Sequence, residues 1–441
     1  MSELTIKNAR ILTLTDSQPE PFDGDVFVQG NRIAEIGQAL PKRGRVLDAK
    51  GLLLMPGFVQ SHIHLCQTLF RNTAEDLELL DWLHQKIWPL EAAHNERSLR
   101  ASVQLGLAEL ISGGTTAILD MGSVRLTDVI FEEVARAGFR ANVGKTFMDF
   151  GEGIPDGLWE NGRDSLEDAV RLHKKWDGQA NGRLKVNLAP RFALSCSENI
   201  LRDVAALSEE RRMIVHTHSS ENRKELETVQ RQTGMRNLLY YHHLGLDRFH
   251  LSAAHCIWLD EEEMELLAST NTHVLHCPSS NLKLGSGIAK IPEMLSRGVR
   301  VSVGADGAPC NNNLDVFQEM RLAGLIQKPR VGVDHLSARQ IVRAATIGGA
   351  QAAGWHQDLG SVEVGKLADL ILLDLRQPHA VPSVDVYTQL VYAARATDVK
   401  TVIVDGQILM ENRILTTLDA KAVIRRAEEE FSALLKRTRW P

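Results

Sequence analysis

Between residues 56 and 358 the sequence repeats one pattern, a stretch of helical period followed by a short apolar run, and this repeat narrows the possible folds most. Leu99–Ile111 precedes Gly113-Gly-Thr-Thr-Ala-Ile-Leu-Asp120, and Val124–Ala137 precedes Arg140-Ala-Asn-Val-Gly144. Ile200–Ser208 leads into Met213-Ile-Val-His-Thr-His218, Asp260–Ala268 into His273-Val-Leu-His-Cys277, and Ile291–Ser296 into Val299-Arg-Val-Ser-Val-Gly-Ala-Asp306. Strands separated by helices pair in parallel, because the crossover returns the chain to the same end of the sheet. The pattern therefore predicts an α/β fold, either a parallel barrel or a doubly wound sheet.

The two ends read differently. Leu4-Thr-Ile, Asp25-Val-Phe-Val, Arg32-Ile-Ala-Glu-Ile-Gly and Arg45-Val-Leu-Asp are short and broken by Gly and Asn, which suggests antiparallel strands. Gly365-Lys-Leu-Ala-Asp-Leu-Ile-Leu-Leu-Asp and Val399-Lys-Thr-Val-Ile-Val-Asp are sheet-like again, and Lys421–Lys436 is a charged amphipathic helix. The expected organisation is a (β/α)8 TIM-type barrel over residues 56–358. A small β-sandwich domain, built from residues 1–55 and 359–441, would join the two termini.

Composition removes several functions. A net charge of −6 gives no basic footprint for nucleic acid or for an anionic membrane. The longest apolar run, Gly51–Val59, is far short of a bilayer span, and the first residues lack the pattern of a signal peptide. Five cysteines without C-x-x-C spacing argue against a disulfide framework, so a cytoplasmic protein is expected.

The chemistry gathers where apolar runs end. Pro56-Gly-Phe-Val-Gln-Ser-His62-Ile-His64 places two histidines at i and i+2, on one face of a strand, where both imidazoles can grip one ion. Val215-His-Thr-His218-Ser-Ser-Glu221 offers a third ligand, but His216 and His218 share a face and the residues alone do not choose between them. Glu221 is a carboxylate placed to carry a proton. Leu251-Ser-Ala-Ala-His255 and Val301-Ser-Val-Gly-Ala-Asp306 each add a polar group at a strand end, where barrel enzymes build their sites. Taken one at a time, these are surface histidines, a helix-start glutamate, a buried core histidine and a turn-forming Asp-Gly. Together they read as four successive strand ends converging on one metal. His276 suits a structural or substrate-facing role.

In the order P-G-F-x-x-x-H-x-H, H-x-x-E, A-H and G-x-D, the chain resembles the amidohydrolase superfamily, in its branch of mononuclear deaminases and chlorohydrolases, over nearly its whole length. The resemblance implies one divalent metal, zinc or ferrous iron, held by His62, His64, His218 and Asp306. It implies that Asp306 takes a proton from water, that Glu221 protonates a ring nitrogen and then the leaving ammonia, and that His255 steadies the developing charge.

The substrate signals divide. Asn281-Leu-Lys-Leu-Gly-Ser-Gly, Cys310-Asn-Asn-Asn-Leu-Asp and Asp81-Trp-Leu…Trp88-Pro-Leu-Glu91 resemble deaminases of S-adenosylhomocysteine, methylthioadenosine and 5′-deoxyadenosine. Gln67, Ser219-Ser-Glu-Asn and Pro190-Arg-Phe resemble guanine deaminase instead. Gln67, Glu91 and Arg191 are thus the expected substrate contacts, and no arginine is apparent near Lys145 to meet a homocysteine carboxylate. The leading expectation is a deaminase of a 5′-modified adenosine, acting on a small-molecule purine as a homo-oligomer, with the C-terminal helix available as a subunit contact. Guanine or another oxopurine, an s-triazine, a cyclic amide with two metals, and a non-catalytic metal-holding barrel are the alternatives.

Overall fold

The computed structural model describes residues 3–438, so the two outermost residues of the N-terminal segment and the last three of the C-terminal segment lie outside the described residues. The N-terminal segment forms β1 (Glu3–Ile11), β2 (Phe22–Gln29), β3 (Arg32–Gly37), β4 (Arg45–Asp48) and β5 (Leu53–Pro56). Eight parallel strands follow: β6 (Phe58–Ile63), β7 (Thr115–Ser123), β8 (Arg140–Phe147), β9 (Leu184–Pro190), β10 (Val215–Ser219), β11 (Leu251–His255), β12 (Thr272–His276) and β13 (Arg300–Val303). The C-terminal segment adds β14 (Leu370–Leu373), β15 (Val399–Val404), β16 (Gln407–Glu411) and β17 (Ile414–Leu415).

The eight parallel strands pair in sequence order from β6 to β13. A bridge between Ile63 and Asp306 brings the two ends of this sheet together, and the Asp306 N–H donates to the His62 carbonyl across 3.0 Å. Gly304 makes that approach possible: a Cβ there would lie 2.7 Å from the backbone N and O of His62.

The helices cover the barrel with their apolar stripes. The helix Glu96–Ser112 starts at Asn95, whose side chain accepts the N–H of Ser98, and it ends before Gly113 and Gly114. Leu99, Val103, Leu107 and Leu110 repeat at helical spacing and are buried in the main core. Each fully buried side chain of that stripe contributes roughly 1.5–3 kcal/mol. The C-terminal helix Ala420–Thr438 lies on this helix and buries Val423, Ala427 and Leu434.

Both termini contribute to one nine-stranded mixed sheet, in which β5 pairs antiparallel with β14. The expectation of antiparallel pairing among the N-terminal strands holds for β1 with β2 and β2 with β3. It fails for β4 and β5, which run parallel to β1. The chain crosses back after β3 to the other edge of β1, and a crossover yields parallel strands. Arg140, fully buried at the start of β8, ties this sheet to the barrel by a two-pronged bond to Asp369, at 2.7 and 3.0 Å. All five cysteines are buried and free. Among the described residues, no helix is long and apolar enough to cross a membrane.

Candidate metal and catalytic site

Alternation along β6 turns both His62 and His64 into the barrel, at the end where the strands finish. Asp306, just beyond β13, lies beside them because the barrel closes there: its Oδ1 is 3.2 Å from His62 Nε2 and 3.3 Å from His64 Nε2. His218, on β10, brings its Nε2 to 3.3 Å from His64 Nε2. One ligand atom from each of these four residues lies within 4.8 Å of the others. The four strand ends are not successive, contrary to expectation. They belong to β6, β10, β11 and β13, and curvature into a ring, rather than adjacency, makes them converge.

A three-histidine, one-carboxylate set suits a divalent metal. His62 Nε2 fits such a role: it is buried, has no hydrogen-bond partner, and points at the other donors. The outer nitrogens are occupied. His62 Nδ1 is 2.7 Å from His216 Nε2, one layer deeper in the barrel, and His218 Nδ1–H donates to the Arg191 carbonyl across 2.6 Å. Such outer bonds orient metal-binding imidazoles. Of the two histidines left open by the sequence, His218 joins the four-residue cluster, and His216 lies against His62.

Glu221 and His255 stand over the cluster. His255 Nε2 is 3.4 Å from Glu221 Oε2 and 3.8 Å from Asp306 Oδ2. Burial pushes the Glu221 carboxyl well above the usual carboxylate range, with the charges of Asp306 and Glu225 adding to it. Burial alone would also raise Asp306, but the neighbouring His62 and His64 outweigh it and hold its carboxyl well below the usual range. Two adjacent carboxyls are thus driven in opposite directions, the arrangement that separates a proton carrier from a permanent anion. His255 and Asp306 both have left-handed backbone, with φ of +71° and +63°. Such strain in non-glycine residues collects at sites that need a side chain re-aimed.

A pocket of about 380 Å3 opens onto this group and is lined by Gln67, Trp82, Phe192, Glu221, His255 and Asp306 among others. A neighbouring cavity of about 830 Å3 shares His64 and Arg191 with it. Of the three expected substrate contacts, Gln67 lines the first cavity, Glu91 the second and Arg191 both, and they are bonded to one another. Arg191 grips Glu91 at 2.5 and 3.1 Å, and Gln67 Nε2 donates to Glu91 across 2.7 Å. Gln67 Oε1 remains buried and without a partner. An arginine does stand near Lys145, contrary to expectation: Lys145 is 2.5 Å and Arg125 4.0 Å from the same Glu160.

Sequence reasoning missed several supports. Asp120 accepts the Leu65 N–H across 2.8 Å and so braces the turn after His64. Ser280 and Asn281 touch Asp306 and His255. His276, for which a structural or substrate-facing role was expected, is buried with neither ring nitrogen bonded. The positional signal for the supports was weak: Asp120 lies near the end of β7, and Ser280 and Asn281 lie on the helix that follows β12.

The model of the Amidohydrolase family matches residues 53–409. The 5′-deoxyadenosine deaminase of Methanosarcina acetivorans is 36% identical over 99% of both chains. The 5-methylthioadenosine/S-adenosylhomocysteine deaminase of Pelotomaculum thermopropionicum is 34% identical over 99% of this chain and 100% of its own. An adenosine deaminase from Xanthomonas campestris, solved with bound zinc, superposes with a TM-score of 0.92 at 31% identity, over 99% of both chains.

Proposed function

The chain belongs to the amidohydrolase family and is a hydrolytic deaminase, and we propose that its substrate is a 5′-modified adenosine, converted to the inosine analogue and ammonia. The observation that carries this reading is the pairing of a four-donor cluster with a buried Glu221 carboxyl, pushed up by that burial and 3.4 Å from His255. Full-length similarity to enzymes named for 5′-deoxyadenosine, methylthioadenosine and S-adenosylhomocysteine supports the substrate class.

A divalent metal belongs to this chemistry, and we assign His62, His64, His218 and Asp306 to hold it, with zinc as the ion, as in the Xanthomonas relative. When bound, such an ion lowers the pKa of water toward neutrality and supplies a hydrolytic nucleophile. Asp306, its carboxyl held below the usual range by His62 and His64, would take a proton from the attacking water. Glu221, its carboxyl pushed up by burial, is placed to give a proton to a ring nitrogen, to receive the two protons of the attacking water in turn, one of them by way of Asp306, and to deliver one to the departing ammonia. His255 Nε2 lies 3.4 Å from Glu221 and 3.8 Å from Asp306, placed to hydrogen-bond the attacking water or the substrate. Gln67, Glu91 and Arg191 meet the substrate as one bonded unit, with Gln67 Oε1 as its free acceptor. We also place the protein in the cytoplasm, in keeping with its free thiols. We take it to be a homo-oligomer, with the half-exposed Ile424 of the C-terminal helix available to a second copy.

The test is ammonia release from adenosine, 5′-deoxyadenosine, methylthioadenosine, S-adenosylhomocysteine and guanine by the metal-loaded protein. Preference for a 5′-modified adenosine supports the proposal; turnover of guanine alone rejects it. Elemental analysis should find one metal per chain, and two would favour a cyclic amide hydrolase.

A further inference from the structure

Ser280 and Asn281 are neighbours on the short helix Pro278–Lys283 that follows β12, and each holds a different member of the site. Ser280 Oγ–H donates to Asp306 Oδ2 across 2.7 Å. His255 Nδ1–H donates to Asn281 Oδ1 across 2.8 Å. Both side chains are buried. Adjacent helical residues point about 100° apart, so two neighbours can serve two targets.

We propose that Ser280 and Asn281 are the positioning residues of the site: Ser280 sets which oxygen of Asp306 faces the histidines, and Asn281 fixes the ring and tautomer of His255. Asp306 Oδ1 is the oxygen next to His62 and His64, whereas Oδ2 is the one bonded to Ser280. Exchanging the two oxygens would break a buried hydrogen bond, which is costly because no water replaces it. In a neutral His255, the proton shared with Asn281 occupies Nδ1 and leaves Nε2 as the acceptor. That Nε2 is buried without a hydrogen-bond partner and faces Glu221.

The support itself is anchored. The Asn281 N–H donates to the Cys277 carbonyl across 3.0 Å, and the Asn281 carbonyl accepts from Ser286 N–H across 2.9 Å. The Ser279 N–H donates to Glu319 on the helix Val316–Val331 across 3.1 Å. Asp306 and His255 both have strained backbone, so each needs an outside hold to keep its aim.

The kinetic part of this inference rests on the deaminase reading; the geometric part does not. Asn281→Ala should keep one metal per chain, lose about 10–100-fold in kcat and leave KM within about twofold. In a double-mutant cycle, His255→Ala/Asn281→Ala should be no slower than His255→Ala. Fully additive losses, or a raised KM with kcat intact, overturn the Asn281 assignment. If Asn281→Ala does not fold, Asn281→Asp keeps the accepting oxygen and should retain at least about a tenth of the parent kcat; a folded Asn281→Asp as slow as His255→Ala refutes it. Ser280→Ala should yield its zinc to a competing chelator at about tenfold lower chelator concentration, and Ser280→Thr should restore retention. Equal retention in the parent and Ser280→Ala overturns the Ser280 assignment. Nitrogen-15 imidazole spectra should show a His255 Nδ1–H tautomer in the parent that is lost in Asn281→Ala; an unchanged tautomer counts against it. If the parent deaminates no purine, the deaminase reading fails alone, and chelator competition and imidazole spectra still decide this inference.

Discussion

His218 donates its Nδ1 proton to the backbone carbonyl of Arg191, across 2.6 Å, while the Arg191 side chain turns away to grip Glu91. One residue therefore aims a metal-site histidine with its main chain and neutralises a buried carboxylate with its guanidinium. The two tasks are separable by mutation. Arg191→Met keeps the carbonyl, so one zinc per chain should remain. It leaves Glu91 buried and unpaired, which should cost about 3–5 kcal/mol in a urea-unfolding measurement. Adding Glu91→Gln should recover much of that loss. Loss of zinc in a folded Arg191→Met would contradict the separation.

Glu221→Ala removes the carboxyl that burial pushes up, without touching the four-donor cluster. Turnover should fall by about 10²–10⁴-fold with metal content unchanged. A variant that works at the parent rate would remove Glu221 from the reaction. A parent that binds zinc but deaminates none of the purines would leave the chain as a metal-holding barrel.

Closure of the barrel depends on the missing Cβ of Gly304, which would otherwise press on the His62 backbone at 2.7 Å. Gly304→Ala should shift β6 away from β13, lower stability by roughly 1–3 kcal/mol and weaken zinc retention. Differential scanning calorimetry and chelator competition check both effects. Parent-like values in both would mean that closure tolerates the added carbon.

At the opposite end of the barrel, His250 and His273 stack with ring centroids 4.5 Å apart. Burial holds His250 down to about 4, helped by Arg300, and His273 down to about 2, helped by His250. An unfolded imidazole titrates near 6.5, so below that pH the unfolded chain binds protons that the folded pair refuses. Their contribution is intact above about pH 6.5 and is lost as the pH falls toward the folded values, at most about 1.4 kcal/mol per pH unit for each group. The urea midpoint should drop between pH 7.5 and pH 5, and the drop should be smaller in His273→Gln. Equal drops in parent and variant would exclude this pair as a source of acid sensitivity.

Much of this architecture could be read from periodicity and from polar residues at strand ends. The β9 strand Leu184–Pro190 was not apparent, because Lys185 and Asn187 interrupt its apolar run. Inside the barrel the Asn187 amide N–H donates to Asn142 Oδ1 across 3.1 Å, so this buried polar residue does not mark a surface. The parallel pairing of β4 and β5 with β1 depends on where a connection crosses, which local composition does not encode. At the site, His62, His64, His218 and Asp306 followed from spacing and resemblance, but the mutual pairing of Gln67, Glu91 and Arg191 did not. Those three are far apart in sequence, and only the closed barrel brings them into one bonded group, with Gln67 Oε1 left as its free acceptor.

The pairing of β5 with β14 also bears on how the protein is made. A ribosome releases Leu53–Pro56 long before Leu370–Leu373 exists, so an apolar strand leaves the tunnel with one edge open. The β6 strand waits similarly for its closing neighbour beyond β13. Until the last quarter of the chain emerges, these edges invite pairing with other nascent chains. Translation arrested near residue 360 should give a protease-sensitive, chaperone-bound product, whereas arrest beyond residue 415 should give a resistant one. Equal resistance at both lengths would show that the barrel completes itself without the returning strands.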